Sequence, residues 1–303
     1  MTAAESTCLI AFGANQGDRE QMLGRALQQL GEQGFRDCLA SRLYRTRPIG
    51  GPADQGEYVN AVIRARCSGS APEIVQRLLA VEAACGRKRS ERWAPRTIDL
   101  DLLLLGEQLV DQPTVQIPHP RMTCRRFVLE PACEIAAELK HPWSGATLGK
   151  LFEAISRATP YTAAWLWPVA HRDQTESLMV SLQQGLAQRG VTARFQWLEP
   201  GDFKPFAESR WQTPSRAGDW HILLVPDPLQ LNRLQQPPGL VIAWGQRQKS
   251  QTTTEFELAH KVALQHVGAV ALLALEPNEA VRELAAAMQA VEEFWHRAKA
   301  SAD

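Results

Sequence analysis

The sequence predicts two domains of different class: an α+β domain on an antiparallel sheet over residues 1–160, and an α/β domain over residues 161–303. Three observations carry this. The chain has 303 residues, which at roughly 100–200 residues per domain asks for two. All six cysteines lie before position 134, whereas seven of the nine tryptophans lie after position 164, a break in composition. Strand-like and helix-like segments also follow a different order in the two halves.

In the first half, TCLIAFGA (7–14) is a short apolar run closed by Asn15, the pattern of a buried strand entering a turn. Asp18 stands where it can cap a helix over 19–30. There Met22, Leu23, Ala26, Leu27 and Leu30 share a face, and Gly31 with Gly34 ends the pattern. Residues 36–46 and 57–68 are rich in strand formers, and the Pro/Gly-rich RPIGGPADQG separates them. Pro72 opens and Gly86 closes an amphipathic helix over 71–86. RTIDLDLLLLGEQ (96–108) reads as a strand. This β-α-β-β-α-β order is the ferredoxin-like pattern, with helices expected on one face of the sheet. A last helical pattern, 148–158, stops at Thr159 and Pro160, which puts the boundary near 157–162.

In the second half, strands are expected at 161–170, 192–200, 220–228, 239–245 and 269–277, with helices at 175–190, 255–268 and 278–298. Continuous apolar strands alternating with helices indicate a sheet covered on both faces. The first strand-to-helix turn, PVAHRDQTES (168–177), lacks glycine and the G-x-x-x-x-G-K-[ST] pattern, so no backbone cradle for phosphates is expected there. His171, Arg172 and Asp173 read as a solvated cap, and His260 and His266 lack partners at metal-ligand spacing.

Hydrophobic residues make up 45% and charged residues 22%, which excludes a disordered or fibrous chain. Basic and acidic residues number 33 each, so no global field draws the chain to nucleic acid or an anionic membrane. No signal-peptide pattern and no apolar run long enough to span a bilayer is found, and a cytoplasmic protein is expected. The cysteines never form C-x-x-C and read as reduced, small apolar residues.

The chemistry concentrates in GRKRSERWAPRTIDLDLLLL (86–105). In a strand, residues two apart share a side, so Asp99 and Asp101 aim two carboxylates at one spot while Ile98, Leu100 and Leu102 face the core. Such a pair suits a hard divalent cation shared with substrate phosphates, Mg²⁺ above all. Arg87, Lys88, Arg89, Arg92 and Arg96 supply cations for a transferring phosphoryl group. The competing reading is a solvated arginine loop that merely ion-pairs with the two aspartates. Tyr58 and Asn60, behind a long loop, together with Trp93 and Phe127, suit a flat heterocycle with a hydrogen-bonding edge. His119, Arg125 and Arg126 surround a second Pro-framed turn.

In this order the segments AFGANQGDR, YRTRPIGGPADQGEYVNAV, GRKRSERWAPRTIDLDLLLL and IPHPRMTCRRFVLEP resemble the 6-hydroxymethyl-7,8-dihydropterin pyrophosphokinases of folate synthesis over residues 7–157. The resemblance implies that ATP gives its β,γ-pyrophosphoryl group to the pterin hydroxymethyl oxygen and leaves as AMP, with two Mg²⁺ ions held by Asp99 and Asp101. It implies that Arg87 and Arg96 face the transferring phosphates. Thr46, Ile49, Tyr58, Asn60, Trp93 and Phe127 match the pterin pocket, and Glu82, Arg89, Trp93, His119 and Arg125 match contacts to ATP. Residues 47–55 and 86–94 match loops that close over substrates. The chain departs from the pattern at Ala14, where serine is usual, and at Leu79, Thr114 and Pro120. The end of the chain, VALLALEPNEAVRELAAAMQAVEE, loosely resembles P-loop nucleotide or nucleoside kinases. That implies a degenerate, non-catalytic copy. An unrelated accessory or oligomerisation domain stands beside it as the other reading.

The implied partners are ATP and the hydroxymethyl dihydropterin, with no nucleic acid or membrane, and an oligomer through the second domain is compatible with the sequence. Two other functions compete. A non-catalytic nucleotide-binding protein would have no use for the intact Asp99/Asp101 and Arg87/Arg96 set. An RNA-binding sheet would want an aromatic-rich strand and a basic balance, which this chain lacks.

Overall fold

A computed structural model describes residues 5–46, 56–87, 96–112, 114–157, 159–166, 172–188, 192–197, 219–225, 238–244, 270–273 and 288. The chain divides into one unit of residues 1–122 with 126–149 and another of residues 123–125 with 150–303.

In the first unit, β1 (Ser6–Ala14) is the centre of an antiparallel sheet, flanked by β4 (Tyr58–Cys67) and β5 (Asp99–Leu105). β2 (Arg36–Ala40) and the short β3 (Tyr44–Thr46) both pair with β4. The segment 36–46, expected as one strand, is thus two. Ser41 interrupts it: its hydroxyl oxygen accepts from the Val62 amide at 3.0 Å and donates to the Arg42 carbonyl. α1 (Arg19–Glu32) begins at Asp18, whose carboxylate accepts from the Gln21 amide at 3.0 Å, a filled N-cap. Gly31 lies inside the helix, and the chain turns at Gly34, whose φ of 80° suits glycine. α2 (Ala71–Ala84) starts with a reciprocal capping box between Ser70 and Glu73.

Alternation along the strands sorts the two faces. Cys8, Ile10, Phe12, Ala14, Ala61, Ile63, Ala65, Leu100 and Leu102 form one apolar core with Met22, Ala26, Leu30, Ile74, Leu78 and Val81 of α1 and α2. The helices of the β-α-β-β-α-β pattern therefore share one face. The other face is covered in part by α3 (Arg126–Ala136), which packs on β3 and β4. There Arg64 donates to the Ile135 carbonyl at 2.9 Å, and Glu134 accepts from Tyr44 at 2.9 Å and from the Arg42 guanidinium at 3.1 Å. β6 (Val110–Gln112) and β7 (Val115–Ile117) form a small hairpin; α4 (Leu148–Arg157), the next helix in the chain, divides mostly with the other unit.

The second unit contains the parallel strands β8 (Thr159–Leu166), β9 (Thr192–Trp197), β10 (Asp219–Val225), β11 (Pro238–Trp244) and β12 (Val270–Leu273). They run in the order β12-β11-β8-β10-β9. Parallel strands need crossover connections, and α5 (Arg172–Ala187) lies in the one that leads from β8 to β9, past the position of β10 between them. Leu182 and Leu186 of α5 are buried with Ala193 of β9, whose carbonyl accepts from Gln183 at 3.0 Å. The helices expected at 255–268 and 278–298 lie outside the described residues apart from Met288, which is helical and buried. The turn at 167–171 lies outside them as well.

Candidate active site

β5 begins at Asp99, three residues later than the sequence pattern suggests, because the preceding backbone is held from elsewhere. Asn15, just past the end of β1, accepts the Arg96 amide on its side-chain oxygen at 2.7 Å and donates its own amide to the Arg96 carbonyl at 3.1 Å. An asparagine side chain here does the work of a neighbouring strand. The sequence marked the Gly13-Ala14-Asn15 turn only for its missing serine and assigned Asn15 no role. The side chain of Ala14 belongs to the apolar core, so the hydroxyl lost at this position faces away from the site.

Asp99 and Asp101 emerge on the face opposite α1 and α2. In register, Gly13 of β1 lies between Asp99 on one side and Asn60 on the other, and Ala11 lies opposite Asp101. A Cβ at Gly13 would stand 3.6 Å from Asn60 Oδ1 and 4.0 Å from Asp99 Cβ. The missing side chain keeps the space between amide and carboxylate open. Tyr58 and Asn60 alternate onto this same face, and Asn60 Nδ2 donates to Thr46 Oγ1 at 2.7 Å, both residues being buried. Tyr58 is half-buried, and burial pushes its phenol up from the usual value, an effect Arg96 opposes and Asp99 reinforces.

The two aspartates have different neighbours. Asp99 receives Arg87 Nη1 on Oδ1 at 2.8 Å and Arg96 Nη1 on Oδ2 at 2.8 Å. Asp101 faces His119, whose Nε2 is 3.9 Å from Oδ2. The backbone of His119 is tied to β5 by its amide, which donates to the Leu103 carbonyl at 2.9 Å. Its Nδ1 accepts the Arg121 amide at 3.2 Å. In the neutral ring the proton then sits on Nε2, toward Asp101. The ion pairing that competed with a phosphoryl-transfer reading is therefore present on Asp99, while the Asp101 side chain is 40% exposed.

Glu82 of α2 is 3% exposed. Its Oε1 accepts the Leu100 amide at 2.7 Å and also pairs with Arg87 Nη1. Burial pushes the Glu82 carboxyl up, with the Leu100 amide and Arg87 pulling against it. Burial also works against the charge of Arg87, but Asp99 and Glu82 outweigh it and hold the guanidinium pKa above its ordinary value.

Asp99, Asp101, Arg87, Arg96, Glu82, His119, Thr46, Tyr58 and Asn60 all belong to the first unit, the aspartates, Tyr58 and Asn60 on one sheet face. Phe127 is in the first turn of α3, the helix on that face. Arg125 is in the short stretch 123–125 that divides with the second unit. Ile49, Arg89 and Trp93, and most of the two loops matched to closure, lie outside the described residues. Among the described residues no three His, Cys, Asp or Glu side chains gather as a metal cage. A carboxylate pair alone fits an ion that takes its remaining ligands from water and substrate phosphates, as Mg²⁺ does.

A split β-α-β sheet bearing paired aspartates, framed by arginines beside a buried amide and hydroxyl, is an arrangement that a phosphotransferase can use. Comparison with known proteins carries this further. Residues 9–137 match the model of the 7,8-dihydro-6-hydroxymethylpterin-pyrophosphokinase family. A 2-amino-4-hydroxy-6-hydroxymethyldihydropteridine pyrophosphokinase from Synechocystis sp. is 39% identical over 163 residues, 54% of this chain and 80% of the relative. Its counterpart from Pseudomonas aeruginosa is 38% identical over 156 residues, 49% of this chain and 94% of the relative. A third, from Bacillus subtilis, is 36% identical over 132 residues, covering 43% and 78%. The chain belongs to the 7,8-dihydro-6-hydroxymethylpterin-pyrophosphokinase family. The matched segment accordingly carries the ATP- and Mg²⁺-dependent pyrophosphokinase activity of folate biosynthesis. No helix among the described residues is long and apolar enough to cross a membrane.

Proposed function

We propose that this activity is performed by Asp99, Asp101, Arg87 and Arg96 on the sheet face they share with Thr46, Tyr58 and Asn60. The pterin hydroxymethyl oxygen attacks the β-phosphorus of ATP. The new P–O bond forms as the bridge to the α-phosphate breaks, the hydroxyl loses its proton, and AMP carries off the electron pair. Asp99 and Asp101 would hold two Mg²⁺ ions, which supply charge neutralisation across the triphosphate. Arg87 and Arg96 exchange their hold on Asp99 for the phosphate oxygens, offsetting charge as the bond breaks. Tyr58, Phe127 and Trp93 offer flat apolar surfaces to the pterin, Thr46 and Asn60 read its polar edge, and Ile49 is matched to the same pocket. Arg89, Trp93, His119 and Arg125 are matched to the nucleotide.

The observation that carries this reading is the asymmetric carboxylate pair: Asp99 gripped by two arginines at 2.8 Å, Asp101 two residues on and open to solvent. The full chain should convert ATP to AMP only when hydroxymethyl dihydropterin is present, and the pterin product should carry two phosphates. Orthophosphate release, or AMP formation without pterin, would contradict it.

For residues 161–303 we propose an accessory role without phosphotransfer, since the turn 168–177 has neither the glycines nor the lysine of a phosphate loop. Full-length chain carrying Asp101→Ala, incubated with ATP, Mg²⁺ and a panel of nucleosides and nucleotides, should give no phosphorylated product. Product above background would place a second phosphate site in that domain.

A further inference from the structure

Glu82 is out of place by ordinary rules of burial. A carboxylate on a surface helix normally reaches water, and one sealed from it is costly unless paired and hydrogen-bonded. This one is sealed against the outer edge of β5, the strand that bears both aspartates. Among the described residues β5 pairs with β1 on one side only, and its outward amides have no ladder partner. Glu82 Oε1 takes the outward amide of Leu100, the residue between Asp99 and Asp101, at 2.7 Å. The same oxygen pairs with Arg87 Nη1, and that nitrogen donates onward to Asp99 Oδ1 at 2.8 Å. A closed ring results: Glu82 to Leu100 N–H, along one peptide to Asp99, from Asp99 to Arg87, and back to Glu82.

We propose that Glu82 is a positioning residue, which sets the aspartate pair by pinning the strand between them and holds Arg87 beside Asp99, from where it turns to the phosphates, acting through these partners rather than on the nucleotide. The proposal rests on reading Asp99 and Asp101 as the metal ligands and Arg87 as a phosphate-facing cation. Two features of the ring support an indirect role. The Glu82 side chain is 4% exposed, against 40% for Asp101, so a nucleotide would reach it only after both partners let go. Both of its bonds also converge on one oxygen and lead to the same carboxylate, as expected of a brace. Glutamine at this position keeps an acceptor for the Leu100 amide but loses the charge that holds Arg87. Its guanidinium then has Asp99 alone, and both its aim and the balance of charge at the aspartate change.

The test uses the full chain and the variants Glu82→Gln, Arg87→Ala and the double. The expected result for Glu82→Gln is a kcat lowered by about 30-fold or more, with the KM for ATP within about threefold. The double variant should be no slower than Arg87→Ala alone, because one acts through the other. A binding readout accompanies this. Mn²⁺ is titrated into protein saturated with α,β-methylene-ATP, whose carbon bridge blocks transfer, and electron paramagnetic resonance should report Mn²⁺ bound about fivefold more weakly in Glu82→Gln. A raised KM for ATP with kcat retained would make Glu82 a nucleotide contact and overturn the proposal. Multiplicative losses in the double variant, or unchanged Mn²⁺ affinity, would overturn it too. Should Glu82→Gln fail to fold, Glu82→Asp, which keeps the charge and shortens the reach by one methylene, is read the same way. Asp101→Ala run in parallel separates the two levels. Turnover surviving there sinks the metal-site reading itself, whereas its loss there with an unaffected Glu82→Gln sinks only the brace.

Discussion

Along β1, Cys8, Ile10, Phe12 and Ala14 point toward α1 and α2, while Ala11 and Gly13 point to the side that carries Asp99, Asp101, Tyr58 and Asn60. On the first side apolar side chains pack against one another. The second has small residues opposite the aspartates and polar ones around them, held by hydrogen bonds and ion pairs to α2, α3 and the turn after β1, with Leu9 and Val62 buried further along it. Period-two alternation lets three strands serve both purposes at once. Substitutions one residue apart should therefore fail in different ways.

The largest separation is expected at Asp101. Asp101→Ala should lower kcat by about two to three orders of magnitude, since one electrostatic interaction of this kind is commonly worth about 3–4 kcal/mol. It should leave the melting temperature within about 2 °C. It is a cleaner test than Asp99→Ala, which also strands two arginines on a partly buried surface. Near-normal turnover at saturating Mg²⁺ would break the division of the sheet into a packing face and a chemical one.

The opposite failure is expected on the packed side. Leu30 of α1 is fully buried in the apolar core, and Leu30→Ala should cost about 3 kcal/mol of stability through lost transfer energy and a residual cavity. At low temperature kcat and both KM values of the folded enzyme should stay within about twofold. Urea midpoint and turnover, measured on the same preparation, decide this. A Leu30→Ala enzyme that keeps its stability and loses its turnover would mean that the two faces are mechanically coupled.

The packed face was the more legible of the two from sequence. Helical spacing from Met22 to Leu30 and from Ile74 to Val81, and alternation in β1 and β5, name most of the core without any tertiary knowledge. Asp99 and Asp101 were equally plain, because two acids in an apolar strand demand a reason. What could not be read is what each polar group is paired with. Asn15 gripping the Arg96 backbone spans 81 residues of sequence, and Glu82 reaching the Leu100 amide spans 18; no local pattern encodes either bond. α3 was unread as a packing element for a related reason. Pro131 within RFVLEPACEIA weakens a helical signal that only burial against β4 restores. Ser41 split a strand through a side-chain hydrogen bond that mimics the ladder.

A pH experiment sharpens the comparison from the α3 side. The stretch after α3 buries His141, 1% exposed, and burial pulls its pKa down to about 4 from the usual 6.5. The unfolded chain binds this proton more readily than the folded one. The stabilising effect of keeping the ring neutral is thus complete above pH 6.5 and is lost as pH falls through about 4. At pH 5 the difference amounts to about 2 kcal/mol. Urea titrations of the first unit, read by exchange mass spectrometry of β1 and β4 peptides at pH 7.5 and 5, should show this loss in the native sequence and a smaller one in His141→Gln. Equal pH dependence in the two proteins would mean that the ring is charged in the fold.

The smallest effect is expected from one hydroxyl on the chemical face. Thr46 and Asn60 are each 6% exposed, and Asn60 Nδ2 donates to Thr46 Oγ1 at 2.7 Å. This bond fixes which end of the Asn60 amide is donor and which is acceptor, and it leaves Oδ1 beside Gly13 free for the donors of a pterin edge. Thr46→Val keeps shape and volume but removes the acceptor, so one buried amide hydrogen goes unpaired and the amide loses its preference between two orientations. Half of the resulting cost of about 1–2 kcal/mol falls on the fold, as a modest drop in urea midpoint. The rest falls on pterin recognition, as a KM for the pterin raised about 2–5-fold. The KM for ATP and kcat should move by less than about twofold, because Asp99, Asp101 and the arginines are untouched. Thr46→Ser, which restores the hydroxyl, should recover the pterin KM. A Thr46→Val enzyme with normal pterin KM would show that the Asn60 amide is oriented by something other than this bond.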